Sequence, residues 1–135
     1  GFNRRLRKMK KIIQTTAAPA PIGPYNQAIL VNNTLYTSGQ IALKASTGEL
    51  VLDSIESETK VVMENLSAIL KAAEMSFEHV VKASIFLSDM NNFAAVNEIY
   101  GSYFNSETAP ARETVQVAEL PKKVNVEISV VAIKD

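Results

Sequence analysis

Two side chains with the makings of chemistry stand near the end of the chain. Arg112 follows "PA" in "PARETVQVAEL", and Glu127 sits inside the apolar run "KVNVEISVVAI". A guanidinium offers a planar fork of N–H donors that matches a carboxylate. A carboxylate can accept a proton and give it back. By residue type alone the pair reads first as an ion pair bridging two strands or two subunits. A catalytic pair is the alternative.

The rest of the inventory narrows the field. There is no cysteine, so thiol nucleophiles, disulfides and thiolate metal sites are excluded. His79 is the only histidine, a poor basis for a zinc site or a catalytic triad. It reads as an exposed residue or a simple hydrogen-bond partner. Acidic and basic residues balance at 14 each, which argues against a nucleic-acid binder. No apolar run reaches the roughly 18 residues needed to span a bilayer. Basic residues crowd positions 4–11, around Met9. Residues 1–8 are expected to be a basic leader or a remnant of cloning, and 9–135 a single domain with one core.

The elements that must position these groups follow from pattern. "KKIIQ" is a short strand, and the proline-rich 15–25 an ordered surface loop. "AILV" and "TLYTSG" flank Asn32 and Asn33, which suit a tight hairpin turn. Ile55, Thr59, Val62, Leu66, Ile69 and Ala73 recur at spacings of three and four, the mark of an amphipathic helix. Asp53 with Glu56 resembles a capping pair at its start. A strand is expected over 79–89 and a second helix over 90–104, striped by Phe93, Val96, Ile99, Tyr100 and Tyr103. Asn97 falls beside that stripe. Met63, Met75 and Met90 read as core filler.

The order β-β-β-α-β-α-β-β predicts an α+β fold with two helices on one face of a mixed sheet. The other face would be bare. Val115, Val117, Val124, Val126, Ile128, Val130 and Val131 are apolar positions left over for it. A patch of that size predicts a homo-oligomer.

The motifs "PIGPYNQA", "LYTSGQIAL", "TGEL", "NLSAILKAAEMSFEHVVKASIFLSDMNNFAAVNEIY" and "PARETVQVAELPKKVNVEISVVA" resemble the Rid family (YjgF type, reactive intermediate deaminases). The resemblance spans 10–134, and the arginine of "PAR" with the glutamate of "VEI" points to the RidA subgroup. It implies a chorismate-mutase-like fold and a cytoplasmic homotrimer packed around the second sheet face, with clefts between subunits. It implies hydrolysis of 2-aminoacrylate, 2-iminopropanoate and 2-iminobutanoate to 2-keto acids and ammonia, without metal or organic cofactor.

By the same resemblance Arg112 grips the substrate carboxylate and Glu127 positions or activates water. Tyr25, Ser38 and Asn97 line the pocket, and Gly39 and Thr114 border the ligand through their backbone. Ser38 also reads as a plain turn residue and Asn97 as a capping or interface residue. The chain departs from the family where Thr114 replaces a common Cys, Glu74 a helix-ending Gly, and Gln116 a common acidic residue. The alternatives are a non-catalytic binder of small carboxylates such as 2-keto acids, or an RNA-cleaving translation inhibitor.

Overall fold

The computed structural model describes Arg4 and residues 9–135. The expected leader at 1–8 therefore lies outside the described residues, Arg4 apart. Six strands form one mixed sheet: β1 (Lys11–Ile13), β2 (Ala28–Val31), β3 (Thr34–Thr37), β4 (Val80–Leu87), β5 (Ala111–Gln116) and β6 (Val126–Ile133). Their order across the sheet is β1-β2-β3-β6-β4-β5. All neighbours are antiparallel except β4 and β5, whose chain passes through a helix between them. Asn32 and Asn33 take the left-handed conformation at the β2–β3 turn, φ 47° and 67°. That is the backbone a two-residue hairpin needs.

Helices α1 (Ile55–Ala72) and α2 (Phe93–Gly101) cover one face of the sheet. Val62, Met63, Leu66, Ile69 and Leu70 of α1 are fully buried against alternate residues of the strands, including Ala83, Ile85, Val126, Ile128 and Val130. Each such aliphatic side chain contributes about 2 kcal/mol of burial. Val126, Ile128 and Val130 therefore belong to the core and not to the second face. Val124 joins Ile41, Leu43 and Leu120 in a smaller cluster. The open face carries Tyr36, Val115 and Ile133, all exposed, beside the half-buried Ile29 and Val131.

Helix α1 starts one residue later than the capping pair suggested. Ser54 is the N-cap, its Oγ accepting the Ser57 N–H at 3.0 Å, while Asp53 makes no cap bond. The second helix is shorter than 90–104, because residues 90–92 form a single 3-10 turn capped by Asp89. A further turn, Phe77–His79, precedes β4, and there the His79 Nδ1 accepts the Ser76 N–H at 3.0 Å. His79 is thus a local capping partner.

One buried carboxylate joins the layers. Glu58 of α1 has no exposed surface, and it accepts the N–H groups of Asn125 and Val126 and the Asn125 side-chain amide, at 2.8–3.1 Å. Three donors on one carboxylate offset its desolvation. They also fix the backbone immediately before Glu127.

Candidate active site

Arg112 and Glu127 do not meet. Strand β4 lies between β5 and β6, so the two residues are not on neighbouring strands. They also face opposite ways. Arg112 registers with the fully buried Ala83, on the helix side. Glu127 registers with Phe86, on the open side, between the buried Val126 and Ile128. Neither forms an ion pair among the described residues. Glu113, next to Arg112, points to the open side and pairs with Lys82 at 2.8 Å and with the Ser84 hydroxyl. That pairing holds its carboxyl below the usual range. An intrachain ion pair between Arg112 and Glu127 is thereby ruled out.

Glu127 opens into a cavity of about 400 Å³. Tyr25, Ser38, Gly39, Gln40 and Pro121 line it, with Ile22 and Ile41 among its apolar walls. Burial pushes the Glu127 carboxyl above its ordinary value, and no cation in the cavity lining opposes the shift. Gly39 is required at its position by space. A Cβ there would stand 2.8 Å from the Glu127 carboxyl carbon. Ser38 stands just past β3 and not in a turn: its N–H bonds the Gln27 carbonyl at 2.9 Å, its hydroxyl donates to the Asn26 carbonyl at 2.6 Å, and the residue lines the cavity. The Tyr25 hydroxyl accepts the Ile22 N–H at 3.3 Å, and its ring is half exposed at the rim.

The cavity wall from Pro19 to Tyr25 hangs on one side chain that residue types did not single out. Gln27 is buried and accepts the Thr15 N–H at 2.8 Å. Its amide donates to the carbonyls of Thr15, Ala18 and Pro19. Prolines supply no N–H, so a side-chain amide must satisfy this loop from outside. A lone glutamine after three prolines was the available signal.

Arg112, Asn97 and Thr114 form a second group. The Arg112 Nη1 donates to Asn97 Oδ1 at 2.7 Å. Its guanidinium carbon lies 5.1 Å from the Tyr100 ring centroid and 5.7 Å from that of Phe93. The remaining N–H groups have no protein acceptor among the described residues. Burial raises the Tyr100 hydroxyl's pKa, and Arg112 partly opposes it. The Thr114 and Tyr100 hydroxyls are both buried without a partner. The seven candidate residues thus fall into two groups on opposite faces, one around the Glu127 carboxylate and its cavity, the other around the Arg112 guanidinium. Among the described residues no group of three or more His, Asp or Glu side chains could hold a metal ion. None of their helices is long and apolar enough to cross a membrane.

Known proteins resemble this chain over most of its length. The family model described as Endoribonuclease L-PSP matches residues 15–134. The RutC family protein slr0709 of Synechocystis is 56% identical over 91% of this chain and 95% of its own. A mouse protein named 2-iminobutanoate/2-iminopropanoate deaminase is 48% identical over 93% of both chains. Among solved structures, the Rid-family protein YyfA of Yersinia pestis superposes with a TM-score of 0.89 at 46% identity, covering 93% of this chain and 99% of that one. The chain belongs to the Endoribonuclease L-PSP family and, within it, to the Rid proteins.

Proposed function

We propose that this protein is a hydrolytic deaminase of small 2-imino acids, releasing the 2-keto acid and ammonia. The observation that carries the reading is the division of the site. Glu127 is a desolvated carboxylate in a cavity without a cation. Arg112 is a cation with most of its donors free and no carboxylate beside it. Each half lacks what the other has. The name carried by the mouse relative supports 2-iminobutanoate and 2-iminopropanoate as substrates, and 2-aminoacrylate is the enamine form of the latter.

In this reading the halves meet between copies in a homotrimer that packs its open sheet faces together. Arg112 holds the substrate carboxylate with two parallel N–H bonds. Glu127 takes a proton from water as the oxygen adds to the C=N carbon and passes it to the nitrogen, giving the carbinolamine. It then takes the carbinolamine hydroxyl proton and gives it to the amine as the C–N bond breaks, the carbonyl forms and ammonia leaves. An imine already hydrolyses in water, so holding substrate and water in reacting geometry supplies much of the acceleration. A raised pKa keeps Glu127 matched to this two-way transfer. Tyr25 and Ser38 shape the cavity on the Glu127 side, and Gly39 leaves room for the carboxylate. Asn97 steadies Arg112, and Thr114 borders the ligand through its backbone. The proposed setting is the cytoplasm.

The test generates imine in situ with a threonine dehydratase or an amino-acid oxidase and traps it with semicarbazide. Wild-type protein is expected to divert imine to keto acid. Arg112→Ala and Glu127→Gln should each lower that rate about 100-fold or more. No acceleration by wild type, or an Arg112→Ala protein as active as wild type, sinks the proposal. Keto-acid binding without turnover would leave a carboxylate-binding protein.

A further inference from the structure

Helix α2 does more than fill the core. Phe93, Asn97 and Tyr100 stand at positions i, i+4 and i+7, one face of the helix. All three meet the same group, the guanidinium of Arg112. Asn97 accepts from one edge nitrogen, and the two rings approach the cation at 5.7 and 5.1 Å. Those separations lie inside the range where a ring face attracts a cation. The Tyr100 hydroxyl makes no hydrogen bond, so what this position uses is the ring.

We propose that Phe93 and Tyr100 are positioning residues that form an aromatic cradle for Arg112. They hold its guanidinium in one orientation, with its free N–H edge presented to a carboxylate. The proposal deepens the deaminase reading and rests on its assignment of Arg112 as the carboxylate grip. The physical need is orientation. A two-pronged bond to a carboxylate forms only when the guanidinium plane is correctly turned. An arginine on an edge strand has many rotamers to lose before it can bind. The rings remove that freedom in advance, which improves affinity without touching substrate. Lysine at 112 could not use such a cradle, since it has no planar fork.

The experiment compares Tyr100→Leu, Phe93→Leu and Tyr100→Phe, each alone and combined with Arg112→Ala. Two quantities are read: KM and kcat for imine hydrolysis, and the dissociation constant of pyruvate by calorimetry. The leucine variants keep apolar volume and lose the ring face. They are expected to raise KM and weaken pyruvate about 3- to 10-fold, with kcat within about twofold of wild type. Tyr100→Phe keeps the face and should match wild type in both. With Arg112 already replaced, the leucine changes should weaken binding no further. A general packing defect would lower binding equally in both backgrounds, and that result overturns the cradle. So do leucine variants with wild-type KM and pyruvate affinity. If Tyr100→Leu does not fold, the half-buried Phe93 carries the comparison.

The two readings fail separately. Turnover by wild type with unaffected leucine variants removes the cradle and leaves the deaminase. Pyruvate binding that depends on Arg112 and on both rings, without imine turnover, removes the deaminase and leaves the cradle. Protein that neither turns over imine nor binds pyruvate overturns both.

Discussion

Glu127 is expensive in its ionised form, and that cost has a sign that can be measured. Burial raises its pKa, so the folded protein holds the proton more tightly than the unfolded chain does. The residue therefore favours folding most below the unfolded carboxylate value of about 4.3. That contribution is lost as pH rises through the raised folded value. Glutamine has the same shape and no charge to desolvate. Glu127→Gln is expected to unfold at a higher temperature than wild type at pH 7, with the gap closing as pH falls below about 4. Thermal unfolding followed from pH 3 to 8 checks this. A gap that stays constant, or wild type being the more stable at pH 7, would show that the ionised carboxylate is not penalised. Residue type made Arg112 and Glu127 visible as the informative pair. It could not show that they face opposite ways, because facing depends on the pleat and register of three strands. Glu58 was invisible for a related reason: the backbone N–H groups it holds lie 67 and 68 residues away in sequence.

At the scale of the element, hydrophobic period was a sound guide and helix ends were not. The long stripe of α1 left no ambiguity about that helix, whereas Asp53 and Ser54 are both good caps and only the backbone decides between them. The far end of α1 is more instructive. The Met75 N–H bonds the Leu70 carbonyl and the Glu74 N–H bonds the Lys71 carbonyl, both at 2.9 Å. This is the paired closure that usually requires glycine at the left-handed position. Glu74 occupies it, at φ 60°. Lys134 partly compensates, donating to the Ala73 carbonyl at 2.8 Å and lying 3.8 Å from the Glu74 carboxylate. The Glu74 side chain is almost fully exposed, so that ion pair adds little. Glu74→Gly is therefore expected to stabilise the protein by about 1 kcal/mol. Glu74→Ala keeps the strained backbone and loses the ion pair, so it should gain nothing. Urea unfolding of the two variants beside wild type decides the matter, and equal midpoints for Gly and Ala would show that backbone strain is not the controlling factor.

The whole molecule is where sequence reading stopped short. The order of elements along the chain was legible, and with it the two-layer fold, but strand order in space was not. Strand β4 lies between β5 and β6, antiparallel to β6 and parallel to β5, a parallel pairing that depends on the crossover through α2. That insertion puts Arg112 and Glu127 on separate surfaces of one chain. If the site forms between copies, it can be rebuilt from two inactive proteins. Arg112→Ala retains Glu127, and Glu127→Gln retains Arg112. In a ring of three containing both variants, in either ratio, one junction of the three joins an intact Glu127 to an intact Arg112. Co-expression with two different affinity tags and purification on both selects such mixed rings. They are expected to show roughly a third of wild-type activity, while each variant alone stays inactive. Recovery of that size requires the two groups to come from different copies, since no single chain in the mixture holds both. Mixed rings that form and remain inactive would place the working pair within one chain, and failure to isolate any species carrying both tags would remove the trimer itself.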